Sequence, residues 1–396
     1  MYVTSPLSLY RKSAKTIVVR PSQGPYSGCL VTTDEEAEEQ ESLCWGLCRT
    51  GKIQELPFPQ DRMLKVVHPT NREESSVKTV WFIPVLDQPS CLNRYYVIKA
   101  RGRYKGLAFT CSREDDIAGC CFRNTITDVK PTSFDHTDIY QQLEIHKDRS
   151  GGFYAMAVAG DGYPPKFLRR RGWELHTTSL EFQIRESPGL VNISQLQSNI
   201  EPSLDFPMYY KCSPSVVVTK WTCPFMFVKE GSHESRNTQM GKSVVYEMTM
   251  ERWWEEICSS ENESIGKKNV VVAVDCNVKR ETVLVYGRES ERDERMEDGF
   301  VWFKHVVLGF GVGLSKAIVE KMRWVEEKRG WDGSGNEKEV RVEKVVVKEE
   351  EDGHGHGWCR FACYVLVESF VLKRMDGVVL LSWKFRHSNI THCRWE

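Results

Sequence analysis

No stretch of this chain approaches the roughly 18 consecutive apolar residues that carry a helix across a bilayer, so a helical membrane span is not expected. The opening MYVTSPLSLYRKSAKTIVV lacks a basic start followed by an apolar core, so no secretory signal is expected either. Charge of one sign is missing as well. Lysines and arginines nearly balance the acids, the formal charge is −1, and no global field draws the chain to nucleic acid or to an anionic membrane. The local signatures of common chemistries are also absent: there is no G-x-S-x-G elbow, no H-E-x-x-H helix and no P-loop Gly-Lys-Ser/Thr. GFGVGL (309–314) lacks the third-glycine spacing of the dinucleotide fingerprint and reads as a strand-to-helix loop. No local set of residues supplies a nucleophile, a base and an orienting group.

What is there suits a soluble globular protein. The 396 residues exceed one ordinary core, and 40% hydrophobic with 28% charged residues is far from a disordered composition. Strands dominate the reading. KTVWFIPVLD (78–87) and RYYVIKARG (94–102) are β-branched and aromatic, with turn formers between them, and predict an antiparallel pair. MDG (375–377) predicts a hairpin turn between two further strands. The acidic run DEEAEEQE (34–41) predicts a solvated loop or a short exposed helix. Two longer helices are predicted: 248–261, with Met250, Trp253, Trp254 and Ile257 on one face, and 314–330, with Ser315 as cap, Ile318, Met322 and Val325 buried and Gly330 ending it. The fold class expected is α+β, predominantly antiparallel β with a few short helices, in two β-rich domains. Their expected bounds are 1–135 for an N-terminal β-rich domain and 211–396 for a C-terminal α+β domain, with 136–210 connecting them.

The 14 cysteines are spread over the chain and, with no secretion expected, read as free thiols in a reducing compartment. CSREDDIAGCCF (111–122) is the densest group. Zinc asks for two close pairs such as C-x₂-C, whereas Cys44 and Cys48 are separated by three residues and Cys111 and Cys120 by eight. Packing is the favoured reading, and a small zinc-stabilised module on Cys44, Cys48, Cys111 and Cys120 is the alternative. His354 and His356 in GHGHGW have no third ligand near in sequence and read as a loop. A catalytic alternative would join distant residues, with Cys44 and His68 as thiol and base. For binding, the candidates are Trp81, Tyr95 and Tyr96, if their rings face outward, and the basic group Arg169, Arg170 and Arg171 in FLRRRGW. No cofactor is expected; a partner would be another protein or a small ligand.

The motifs MYVTSPLSLYRKS, CWGLC, LPFPQDR, VWFIPVLDQP, NRYYVIKARGRYKG, TCSRED, PPKFLRRRGW, KWTCPFMFVKE and CYVLVESFVLKRMDG run over nearly the whole chain. Through them the chain resembles a plant-specific family whose domain has no established function and is sometimes labelled an insecticidal crystal toxin domain. The resemblance implies a land-plant, intracellular protein with no family catalytic residues to carry over. The toxin label finds no support in the residues themselves, because helical pore formers need a bundle of long amphipathic helices and β-pores a long amphipathic hairpin. The expectation is therefore a cytoplasmic, or alternatively nuclear, binding or interaction module without catalysis; an enzyme with a dispersed thiol/histidine site is the runner-up.

Overall fold

Alternating β-branched and aromatic residues build a seven-stranded antiparallel sheet in the first half of the chain. This computed structural model describes all residues except 19–22, 41, 44–47, 50, 70–76, 121–122, 150, 191–199, 232–233, 263–270, 332–337 and 349–357. The strands run in the order Phe153–Ala157, Gln142–Lys147, Arg94–Lys99, Lys78–Pro84, Arg62–Val67, Glu174–Glu181 and Lys52–Ile53. A bridge from Phe153 to Trp173 closes this sheet on itself as a barrel. The closure needs glycine: a Cβ on Gly152 would meet the Gly172 carbonyl carbon at 2.7 Å, and Gly172 sits at φ +81°. Phe58, Phe82, Tyr95, Phe153 and Trp173 fill the interior with aliphatic neighbours.

The same strands are buried on their outer face too. Trp81, Ile83, Tyr96 and Ile98 join Tyr2, Trp221, Phe225 and Phe227 in the main core. Burial on both faces accounts for the unbroken apolar run VWFIPV. Across that core lies an eleven-stranded sheet. Its centre is three long antiparallel strands, Val245–Glu261, Arg360–Arg374 and Val379–Trp395. The sheet curls, so that Glu230 at one edge accepts a hydrogen bond from Tyr246 at 2.6 Å and is clamped by the Arg374 guanidinium. Helix Lys316–Lys328 lies over its inner face with Ile318, Met322 and Val325 buried, as their spacing predicts. Ser315 stands at its N-cap but makes no capping bond with its side chain. A two-stranded ribbon, Val271–Lys279 with Glu339–Val347, covers the outer ends of the long strands through Val274, Val278 and Val342.

The predominantly antiparallel β architecture with short helices matches the expected fold class. Several local expectations do not hold. Residues 248–261 form a strand, not a helix: Met248, Met250, Arg252 and Trp254 alternate inward, and pairing along Arg360–Arg374 overrides the helical spacing. Leu7–Val18 is a helix where strands were expected. The strands of 142–181 belong to the barrel, and Tyr2–Pro6 hydrogen-bonds into the large sheet between Val216–Pro224 and Gly28–Thr32. The chain thus crosses between its two sheets more than once.

Candidate functional site

Where helix Lys316–Lys328 ends over the long strands, five ionisable side chains are buried together. Arg252 and Glu368 sit directly opposite each other in the strand pair, and His387 lies two residues beyond Phe385, the other neighbour of Glu368. All three therefore point to one face. The helix delivers Glu326 in its last turn and Arg329 just after it; Gly330 at φ +89° turns the chain back, and Trp331 sets its ring edge-to-face on His387, 5.6 Å away. Glu368 and Glu326 are 0% exposed. Arg252 and Arg329 each bring a guanidinium nitrogen to 2.7 Å from Glu368 Oε1, and His387 Nε2 lies 3.1 Å from Glu368 Oε2 and 3.3 Å from Glu326 Oε2.

This arrangement stores protons. Burial opposes charge on His387, but its hydrogen bonds to Glu326 and Glu368 win and hold its pKa up to about 9. Burial, reinforced by the Glu368 carboxylate, pushes Glu326 up to about 8. Glu326, Glu368 and His387 also place ligand atoms within 4.8 Å of one another, a spacing a metal ion could use. The surroundings disfavour one, because a cation there would face two guanidiniums and would have to displace the proton that the carboxylates hold on His387. The donor set fits a proton-sharing ion network that ties the helix to the sheet.

The residues singled out from the sequence do not converge. Trp81, Tyr95 and Tyr96 are 0–2% exposed, which corrects their reading as a binding surface. Trp81 donates to the Gln60 carbonyl at 2.7 Å, the Tyr95 hydroxyl accepts from the Phe58 amide at 3.2 Å, and Tyr96 donates to the His136 carbonyl at 2.9 Å. They are core rings with satisfied polar ends. His68 is buried, with Nε2 2.8 Å from the Phe167 carbonyl oxygen. Its proposed partner Cys44 lies outside the described residues. Cys111 packs in the barrel interior, where burial pushes its thiol up to about 12; the side chains of Cys48 and Cys120 lie outside the described ones, as do His354 and His356. Of the basic group, Arg169 is half-buried while Arg170 and Arg171 are exposed. Arg171 lies over the Tyr154 ring at 4.6 Å, with Asp148 4.0 Å away.

The junction residues escaped the sequence reading, although one signal marked them. Glu368 is the lone charge inside the apolar run CYVLVESFVL, and a charge in such a place needs a buried partner.

A second feature is at the surface. The hairpin joining Phe300–Lys304 to Gly311–Ser315 turns through His305-Val-Val-Leu-Gly-Phe310. Val306, Val307 and Leu308 are 70%, 84% and 52% exposed. The turn is internally tied: the Val307 and Leu308 amides donate to His305 Nδ1 at 3.2 and 3.1 Å, the Gly309 amide to the His305 carbonyl at 3.1 Å, and the His305 amide to the Phe310 carbonyl at 2.9 Å. Phe310 packs against His305 and Tyr286. Four backbone amides are thus tied within the turn, and three aliphatic side chains are held outward. Turns ordinarily use Gly, Asn, Asp, Ser or Pro at such positions.

Residues 23–122 match the model of a family described as Protein of unknown function (DUF1262), which agrees with the motif resemblance on a domain without established function. No curated protein matches the chain. Among solved structures, the crystal structure of Cry35Ab1 is similar with 10% sequence identity and a TM-score of 0.49, over 85% of this chain and 90% of that one.

Proposed function

We propose that this chain is a non-catalytic binding module that docks a protein partner through the hairpin tip Val306–Leu308. The observation that carries the reading is the tied turn with three consecutive aliphatic side chains more than half exposed. Burying each would contribute roughly 1.5–3 kcal/mol, and the internal hydrogen bonds mean that little ordering entropy opposes binding. A cytoplasmic or nuclear plant setting, taken from the motif resemblance and from the free thiols of the described cysteines, belongs to the same proposal. The thiol/histidine alternative draws no support from His68, whose Nε2 already meets a backbone carbonyl.

A photo-crosslinking amino acid at position 307 tests this in plant-cell extract, beside the same label at exposed Arg170 as a control. A discrete protein adduct specific to position 307, reduced at least roughly tenfold by Leu308→Asp with an unchanged circular dichroism spectrum, supports the reading. Equal labelling from both positions overturns it. Flotation with phosphatidylcholine–phosphatidylserine vesicles that is lost in Leu308→Asp would replace the protein partner with a lipid surface.

A further inference from the structure

Three thiols stand in a row across the outer ends of the long strands. Cys258 opposes Cys363, and Cys363 opposes Cys393. Two irregularities create this alignment. The register shift between Glu256 and Cys258 moves Cys258 from facing Ala362 to facing Cys363. The shift between Val365 and Leu366 resets the last strand so that Cys393 arrives opposite Cys363. The row lies on the face opposite Glu368, under the ribbon that carries Cys276 and Lys344.

The two strand pairs are not equivalent. The Glu396 amide donates to the Arg360 carbonyl at 2.8 Å and the Arg360 amide to the Glu396 carbonyl at 3.1 Å. Arg360 and Glu396 therefore form a hydrogen-bonded pair, and the antiparallel alternation makes Cys363 and Cys393 a narrow, non-hydrogen-bonded one. Such pairs hold their Cα atoms about 4.5 Å apart, inside the span a disulfide bridges. Cys258 and Cys363 fall at the wide kind of pair. Cys363 is 0% exposed, whereas Cys393 is half-buried and reachable. The row does not form a metal-ligand grouping: among the described residues, the set of three or more His, Cys, Asp or Glu ligand atoms lying within 4.8 Å of one another is Glu326, Glu368 and His387.

We propose that Cys393 and Cys363 are an oxidant-sensing thiol pair, Cys393 the attacking thiolate and Cys363 the resolving thiol. A peroxide transfers oxygen to the Cys393 thiolate, giving the sulfenic acid and hydroxide. The Cys363 sulfur then attacks that sulfur, its proton leaves with the hydroxyl as water, and a cross-strand disulfide closes. Overall, two thiols and one hydrogen peroxide give one disulfide and two waters; a small dithiol reverses it. The charge distribution agrees with this division of roles. A hydrogen bond from Cys363 lowers the Cys393 pKa to about 7 against its burial, with Lys344 helping, while the same hydrogen bond and burial push Cys363 up. Closing the bond would fasten the end of the last strand to its neighbour beneath the ribbon. This inference is independent of the hairpin tip.

The experiment uses the full-length, fully reduced protein at pH 7. Iodoacetamide labelling read by peptide mass spectrometry should alkylate Cys393 roughly tenfold faster than the more exposed Cys91. On a separate, unlabelled sample of the reduced protein, one equivalent of hydrogen peroxide should produce a Cys363–Cys393 linked peptide that dithiothreitol removes. Cys363→Ser should stop at a sulfenic acid on Cys393, trapped by dimedone. Cys393 labelling no faster than Cys91, or a first disulfide that omits either residue, overturns the proposal, and the labelling arm needs no variant to fold.

Discussion

The barrel interior and the junction beneath helix Lys316–Lys328 are equally sealed from water, yet they are built from opposite materials. Inside the barrel the described side chains are mostly apolar, and the thiol among them, Cys111, is driven toward its neutral form. At the junction, Arg252, Glu326, Arg329, Glu368 and His387 are buried within hydrogen-bonding or ion-pair reach of one another. Hydrophobic burial stabilises without regard to pH. Buried charges stabilise only while each has its partner, and their desolvation offsets much of the Coulomb attraction. One chain thus holds a core insensitive to pH beside a core that responds to it.

The sharpest break in that comparison is Glu368→Gln. It removes the anion that two guanidiniums and an imidazolium share, leaving positive groups facing one another without water. Unfolding in urea at pH 7 should show a loss of about 3–5 kcal/mol. Replacing Arg252 and Glu368 together by methionine should recover only part of it, because Arg329 still loses its carboxylate and His387 keeps Glu326 alone. A loss below roughly 1 kcal/mol for Glu368→Gln would mean the cluster is hydrated and not a buried network.

Next in size is a pH effect confined to the junction. Glu326 in the folded protein holds its proton up to about pH 8, against an ordinary value of 4.5. The folded state therefore binds the extra proton, and this contribution is fully present below about pH 4.5 and lost as pH rises through about 8. Lys321, buried and with its pKa lowered to about 7, acts in the opposite sense, as does the buried N-terminal amine. The readout is accordingly the difference between Glu326→Gln and wild type. That difference should move in favour of Glu326→Gln by on the order of 3 kcal/mol between pH 5 and pH 9. A constant difference across that range would sink the proton-storage reading.

The two cores also differed in how far the sequence announced them. Strands 78–84 and 94–99 were legible because β-branched and aromatic residues with a turn between them leave few alternatives, and Val80–Pro84 pairs with Tyr95–Lys99 accordingly. What misled there was the face: alternation could not say that Trp81 and Tyr96 would be covered by a second sheet. The helix over 316–328 was legible from its apolar stripe. The strand 245–261 was not, because Arg252 occupies an inward position between Met250 and Trp254 and disguises the two-residue period. The buried charge that makes the junction interesting is the same feature that hid the strand carrying it. The thiol row was beyond sequence reading altogether, since it depends on the register among three strands and on two irregularities within them.

The smallest effect belongs to the barrel, and its value lies in what should not change. Ile145 is 1% exposed in the barrel interior, facing aromatic and aliphatic neighbours and no ionisable group of the junction. Ile145→Val removes one methylene from a close-packed site, where the lost transfer energy and the small cavity together cost about 0.5–1.5 kcal/mol. Nothing in that cost involves a proton, so urea unfolding should give the same loss at pH 5 and at pH 9. Combined with Glu368→Gln, the two losses should add, because the sites share no partners. Strong non-additivity would show that the main core, which both sheets line through Trp81, Tyr96 and Trp221, transmits strain from one to the other. The barrel and the junction would then be a single cooperative interior, and the contrast between them would describe composition alone.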